Sequence, residues 1–284
     1  VMPQAYYQVR QSGEYTGSIV EFFPDYVALE QAFSTITPTW NHLWYLAYVL
    51  VYILIALAVL PWLRSVAESR AWRSLTRKPL VVLFVLILPF VVTETWLSPI
   101  YPTTHDLIND WANHAHRFMI FLIGFFVAKD ARFWRSVDKV WMYAPVLAIA
   151  AWITLQNGQD ISGRLGQFLP GTSLRFFFSY IGILYAWSCM LTLLGFGQRF
   201  FNRESPLLRY LTGAIFCYYV LHQTIIVVAG YYLTEYQLGV AIESLLVLAI
   251  TVAGCVFGYE LIRRIPNVGI LFGVHSVSGF PSDR

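Results

Sequence analysis

Charge is the scarcest feature of this 284-residue chain. Charged residues make up 12 % and hydrophobic residues 57 %, whereas an average soluble domain carries about 25 % charge. Its 19 basic and 16 acidic residues cannot cover a soluble surface of this size, and mean hydropathy is +0.57. A net charge of +3 gives no basic face for nucleic acid, so no nucleic-acid partner is expected. Lysine is nearly absent. Lys78, Lys129 and Lys139 are all there is, and none lies in the last apolar run, which removes a retinal-binding seven-helix protein. The three cysteines, Cys189, Cys217 and Cys255, sit inside apolar runs with no two at metal-ligand spacing. They read as small core residues, with no disulfide framework and no metal site. Also missing are a G-x-S-x-G elbow, H-E-x-x-H, a phosphate-binding Walker loop and G-x-G-x-x-G. No internal repeat or low-complexity tract is found.

What is present is apolar length and aromatic content. Aromatic residues reach 17 %, which suits helices bounded by headgroups. A spanning helix needs about 20 mainly apolar residues. Seven stretches qualify, at 42–63, 79–100, 110–129, 140–156, 174–197, 209–232 and 238–262. The expected fold is an all-α, polytopic transmembrane helical bundle. Pro99, Pro102, Pro170 and Pro206 sit at span edges, and the glycines of 157–173 predict a flexible loop.

Basic residues alternate from one connection to the next. Arg64, Arg70, Arg73, Arg77 and Lys78 share one; Lys129, Arg132, Arg135 and Lys139 share another. Arg199, Arg203 and Arg209 follow, then Arg263, Arg264 and Arg284. The intervening connections hold only Arg10, Arg164 and Arg175. By the positive-inside rule the C-terminus is cytoplasmic. The expected organisation is a periplasmic segment over 1–41, a transmembrane bundle over 42–263 and a cytoplasmic tail over 264–284. An external polar opening without a basic-then-apolar export signal is unusual, and predicts that earlier spans precede Val1.

Ionisable residues within a span are costly and face a bundle interior or wet cavity, which makes them functional candidates. In the third span Asp106, Asp110, Asn113 and Arg117 recur at helical spacing in one stripe, with His114 beside it and His116 pointing away. A mid-membrane guanidinium needs an acceptor, and Asp110 or Asn113 is the local choice. One reading is a self-satisfied Asp–Arg pair locking helices; the other is an anion or carbonyl site in an outward-facing cavity. In the sixth span His222 and Gln223 lie near mid-depth; His222 is either an acid or base or a histidine hydrogen-bonded between helices. Glu94 and Glu243 lie just inside the outer ends of their spans and can approach His222 or the Arg117 stripe. His42, between Trp40 and Trp44, is a belt residue or a cavity rim. Tyr6, Tyr7, Tyr15, Phe22, Phe23, Tyr26 and Phe33 in the opening segment suit either stacking on sugar faces or an interfacial helix.

Four stretches resemble the membrane-bound acyltransferase 3 family: VMPQAYY at 1–7, NHLWYLAYVLVY at 41–52, HDLINDWANHAHRFMIFLIGFFVAKD at 105–130, and SPLLRYLTGAIFCYYVLHQTIIVVAGYYL at 205–233. They are most similar to its periplasmic-glucan, succinyl-transferring branch (glucans biosynthesis protein C). The resemblance implies a bundle of about ten helices in the bacterial inner membrane. It also implies transfer of an acetyl or succinyl group from cytoplasmic acyl-CoA, the donor co-substrate, to a hydroxyl of an extracytoplasmic glycan. No bound cofactor is implied. The family's catalytic histidine, and the basic residue about ten positions before it, lie on a first helix that nothing in this chain matches. The catalytic residue therefore stays unknown, and the chain is expected to begin after the family's third span. Arg117 or His222 is expected to polarise the carbonyl or orient the acceptor. The alternative function is a secondary transporter or flippase for an anionic or saccharide substrate, which matched broken helices in two halves would favour. A sensor or scaffold without chemistry is the third.

Overall fold

The structure is a computed structural model that describes residues 2–28, 33–34 and 41–274. Parts of the expected opening segment (Trp40 among them) and of the expected tail (Arg284 among them) lie outside the described residues. In chain order the helices are α1 (Met2–Gln11), α2 (Phe22–Val27), α3 (Trp44–Ala58), α4 (Leu60–Glu68), α5 (Arg70–Arg77), α6 (Pro79–Phe84) and α7 (Leu88–Val92). There follow α8 (Trp111–Val127), α9 (Ala131–Val140), α10 (Ala144–Gln156), α11 (Gly158–Leu165), α12 (Gly171–Phe196), α13 (Pro206–Thr234), α14 (Val240–Ile262) and α15 (Pro266–Leu271). No strand occurs among the described residues. Two π-helical turns, Thr93–Leu97 and Gly197–Phe201, prolong α7 and α12.

Among the described residues, four helical segments are long and apolar enough to cross a membrane: Pro79–Leu97, Gly171–Phe201, Pro206–Thr234 and Val240–Ile262. The number rises to six if each of two bent pairs, α3 with α4 and α9 with α10, is one span. The stretch at 110–129 folds as a 17-residue helix, about 25 Å long at 1.5 Å per residue, at the short end of what spans. On α14 Leu245, Leu248 and Phe257 are 67 %, 60 % and 70 % exposed within the protein. A helix apolar all round yet uncovered by protein requires lipid as its solvent. The chain is a multi-pass membrane protein.

Proline sets the breaks. Proline at position i supplies no N–H and crowds the carbonyl of i−4. Pro61, Pro89 and Pro145 each enter a new helix at its second residue, just after an interruption at Val59, Val85–Ile87 and Trp141–Tyr143. The α3–α4 pair bends by 79° and the α9–α10 pair by 66°. The stretch expected to span at 42–63 is thus interrupted at Val59, where the helix axis turns. The expected loop at 157–173 is also corrected, because Gly158–Leu165 is helical. Glycine lowers helix propensity by only about 1 kcal/mol per residue, too little to exclude a helix by itself.

The chain divides into two compact units, Trp44–Arg203 and Val1–Leu43 with Glu204–Arg284. In the first, α6, α9 and α12 share a core around Val82, Ile87, Phe133, Val137 and Leu191. Trp187 Nε1 donates to the Val82 carbonyl at 2.9 Å. Gly195 on α12 lies against Trp141 so closely that a Cβ there would overlap the indole side chain. The corner between α8 and α9 is polar and buried. Thr76 Oγ1 and Arg132 Nε donate to Asp130 at 2.9 Å each, and Ser136 Oγ donates to the Thr76 carbonyl at 2.7 Å. Burial pushes the Asp130 carboxyl up, but the bonds from Arg132 and Thr76 outweigh it and hold it below its ordinary value.

In the other unit α13 and α14 pair through a turn at Gly239, whose φ of +89° favours glycine. Cys217 and Cys255 are buried there as free thiols. The opening segment folds onto α13. Tyr6, Tyr7 and Phe22 are buried in an aromatic cluster, with Tyr7 4.3 Å from the Tyr231 ring. Rings spent on one another have no face left for a sugar, which corrects the stacking expectation for these three; Phe23 stays exposed.

Two outcomes follow. Gly195→Ala should destabilise the protein by about 1–3 kcal/mol through overpacking, read as a lower unfolding temperature in detergent. Asp130 has a depressed pKa, so its stabilisation is present above the ordinary carboxyl value of 3.8 and is lost as pH falls through the folded value. The unfolding midpoint should drop as pH falls below the ordinary carboxyl value, and Asp130→Asn should flatten that drop.

Candidate functional site

The richest polar cluster lies in the unit Trp44–Arg203, where α3 faces the start of α8. Its centre is Asp110, fully buried at the mouth of α8. Tyr48 Oη and Asn113 Nδ2 donate to Asp110 Oδ2 at 2.7 Å each. The backbone N–H groups of Thr104 and His105 donate to Asp110 at 3.0 and 3.1 Å. A buried carboxylate with four donors is the satisfied form of a costly group. Its bond to His105 also holds a non-glycine residue at φ +57°, a strained conformation that persists only where neighbours enforce it.

Arg117 completes the stripe without closing an ion pair. Its Nε donates to Asn113 Oδ1 at 3.1 Å, so Asn113 relays between Arg117 and Asp110. Among the described residues no carboxylate lies within ion-pair distance of Arg117. Its guanidinium is exposed and lies 5.8 Å from the Trp44 ring centroid. Of the two readings of this stripe, the directly paired Asp–Arg lock is absent. The helix starts at Trp111, so Asp106 is not on the stripe; it lies in the preceding loop, capping Ile108 N–H at 3.1 Å and taking Asn109 at 2.6 Å. Those two bonds hold the exposed Asp106 carboxyl below its ordinary value.

His114 is fixed at both ring nitrogens. Nε2 lies 2.8 Å from the Leu107 carbonyl, and Nδ1 lies 2.9 Å from Tyr52 Oη. A carbonyl only accepts, so Nε2 carries the proton and Nδ1 presents its lone pair to the Tyr52 hydroxyl. The Tyr48 ring stacks on the imidazole at 4.1 Å. The other side of this pair opens on a cavity of about 590 Å³, whose remaining walls include Val51, Ile55, Leu97, Trp111 and Phe118. Its size and few polar groups fit a small-molecule site.

Glu94 belongs to the same unit. It accepts from Ser98 Oγ at 3.0 Å and lies 3.7 Å from His116 Nε2, on the side of α8 away from the stripe. In the other unit, His42 Nε2 lies 3.2 Å from the Tyr219 carbonyl, and Tyr219 Oη donates back to the His42 carbonyl. The His42 and His222 rings are 5.3 Å apart. His222 Nδ1 donates to the Tyr218 carbonyl of its own helix at 3.1 Å, not to a neighbouring helix. Gln223 Nε2 donates to Gln4 Oε1 at 3.4 Å. Glu243 lines a different cavity of about 430 Å³ between α13 and α14. No group of three or more His, Cys, Asp or Glu placed to hold a metal occurs among the described residues.

Tyr48, Tyr52 and Trp44 were not among the residues expected from sequence. Their signal was the i, i+4, i+8 spacing on α3, which puts all three on one helix face.

An acyltransferase domain model (Acyl_transf_3) matches residues 8–260. The chain belongs to the acyltransferase 3 family. It is therefore a membrane acyltransferase, and the family implies an acyl donor. No curated protein and no solved structure matches the chain.

One outcome tests the hub. Asp110→Ala strands two side-chain donors and two backbone N–H groups, and should cost about 3 kcal/mol or more. Asp110→Asn, which keeps acceptor oxygen at one position, should cost less; both are read by unfolding in detergent.

Proposed function

We propose that this acyltransferase moves an acetyl or succinyl group from cytoplasmic acyl-CoA to a hydroxyl of an extracytoplasmic glycan. The bacterial inner membrane is its proposed site, with the C-terminus cytoplasmic. The family match supports acyl transfer. The alternation of basic connections supports the orientation, and the quoted sequence resemblance supports a glycan acceptor. The observation that carries the reading is the Tyr52–His114 pair opening on an apolar cavity.

In such a transfer the hydroxyl oxygen attacks the thioester carbonyl carbon. The new C–O bond forms, the C–S bond breaks, the hydroxyl proton passes to a base, and the thiolate leaves and takes up a proton. The cluster suits two parts of this. With Nε2–H held by Leu107, the His114 lone pair points where Tyr52 now donates, and a hydroxyl lodged there meets an oriented acceptor for its proton. Arg117, held through Nε and unpaired by a carboxylate, keeps its terminal N–H groups for an anion or a carbonyl oxygen gaining charge.

Membranes containing the protein are incubated with labelled acyl-CoA and glycan. Covalent label on the glycan is expected; glycan uptake without label would replace this reading with transport. His114→Gln and Arg117→Ala should each cut transfer by about 100-fold or more with insertion unchanged. His222→Ala, whose ring is committed to its own backbone, should cost less. Near-normal transfer in both of the first two variants would retire their roles.

A further inference from the structure

A second cavity, of about 800 Å³, lies at the opposite end of α8 from His114. Its lining includes Lys129, Trp134, Arg135, Gln198, Phe201 and Asn202. Three features distinguish it from an ordinary basic surface. Neighbouring cations are compensated, Arg132 by Asp130 at 2.9 Å and Arg199 by Asp138 at 3.5 Å, whereas Lys129 and Arg135 form no ion pair among the described residues. Gln198 Oε1 is buried with no hydrogen-bond partner. And the wall bearing Gln198 and Phe201 is the π-helical turn Gly197–Phe201, a geometry frequent at functional sites because it breaks the regular backbone ladder.

The chemistry of an occupant follows from these groups. Two uncompensated cations, Lys129 in the turn between α8 and α9 and Arg135 on α9, suit a phosphate. Trp134 and Phe201 offer aromatic surface to a planar ring or an alkyl chain. A buried carboxamide end calls for a partner such as a hydroxyl or an exocyclic amine. The turn that carries Lys129 is braced by the bonds of Asp130 with Thr76 and Arg132.

We infer that this cavity seats a phosphate carried on an aromatic or apolar body, namely the nucleotide end of the acyl donor. The assignment rests on the proposed donor reading, which puts the basic connections in the cytoplasm with acyl-CoA. Lys129 lies 15 residues beyond His114, about 20 Å along the helix direction. An extended flexible arm between nucleotide and thioester crosses such a distance, so one donor molecule can anchor at this end and present its thioester toward the other. Bilayer phospholipid offers the same phosphate chemistry, without the planar ring.

The test measures coenzyme A binding to the purified full chain in nanodiscs by calorimetry, alongside the acyl-transfer assay. In zwitterionic nanodiscs, coenzyme A and adenosine 3′,5′-bisphosphate should bind. The Lys129→Ala/Arg135→Ala double variant and Trp134→Ala should each weaken binding at least about 10-fold. His114→Gln should leave it unchanged while lowering transfer. Phosphatidylglycerol nanodiscs should leave coenzyme A affinity within about threefold once surface charge is screened by salt. If phosphatidylglycerol instead displaces coenzyme A, the lipid is the phosphate source and the donor assignment falls. Equal coenzyme A affinity in the cavity variants, or no binding to the unaltered chain, overturns the seat. Transfer from labelled acyl-CoA in either case shows that the donor reading survives on its own.

Discussion

One buried carboxylate organises the polar part of this protein. Asp110 draws together a tyrosine from α3, an asparagine from α8 and two backbone N–H groups of the loop before it. In a medium without water every such donor must find a protein partner. Satisfying Asp110 therefore fixes how α3 meets α8 and holds His105 in its strained conformation. It also decides what Arg117 does. Because Asn113 stands between them, the carboxylate orients the guanidinium without neutralising it by contact. A direct ion pair would have been structural; the relayed one leaves charge available for chemistry.

The apolar remainder follows a different logic. Lipid removes the need for a polar exterior, so α14 leaves large apolar side chains uncovered. Packing is then concentrated where helices touch, and small residues allow the closest approaches, as at Gly195 against Trp141. The breaks after Val59, Ile87 and Tyr143 cost backbone bonds but redirect the chain. Interruptions of this kind are tolerated where neighbouring helices or polar caps take up the freed groups. The helices after these three breaks start without a side-chain cap, whereas α5 and α9 are capped by Ser69 and Asp130, which accept from the Trp72 and Arg132 N–H groups.

Two cavities of the Trp44–Arg203 unit differ in character. One is apolar with a histidine–tyrosine pair, and the other carries two unpaired cations and an unpartnered amide. They sit near opposite ends of α8, whose first turns carry His114 and whose last turn leads to Lys129.

Membrane class, the helical fold, the family and most of the polar stripe were legible in the sequence, because each rests on local composition: an apolar run of 20 residues has few fates, and an ionisable residue inside one stands out. Proline positions also held the bends in plain view at Pro61, Pro89 and Pro145. What composition cannot supply is the partner. Tyr52 and His114 are 62 residues apart, and Tyr48 and Asp110 equally so; only packing of α3 on α8 makes them neighbours. The same holds for the opening aromatics, which look alike as free stacking surfaces or as a core until Tyr231 is placed beside Tyr7. The chain alone determined which groups lipid would force to seek partners, and the tertiary structure decided which partners they found, because hydrogen bonds and charges act over a few ångströms of space and not along the chain.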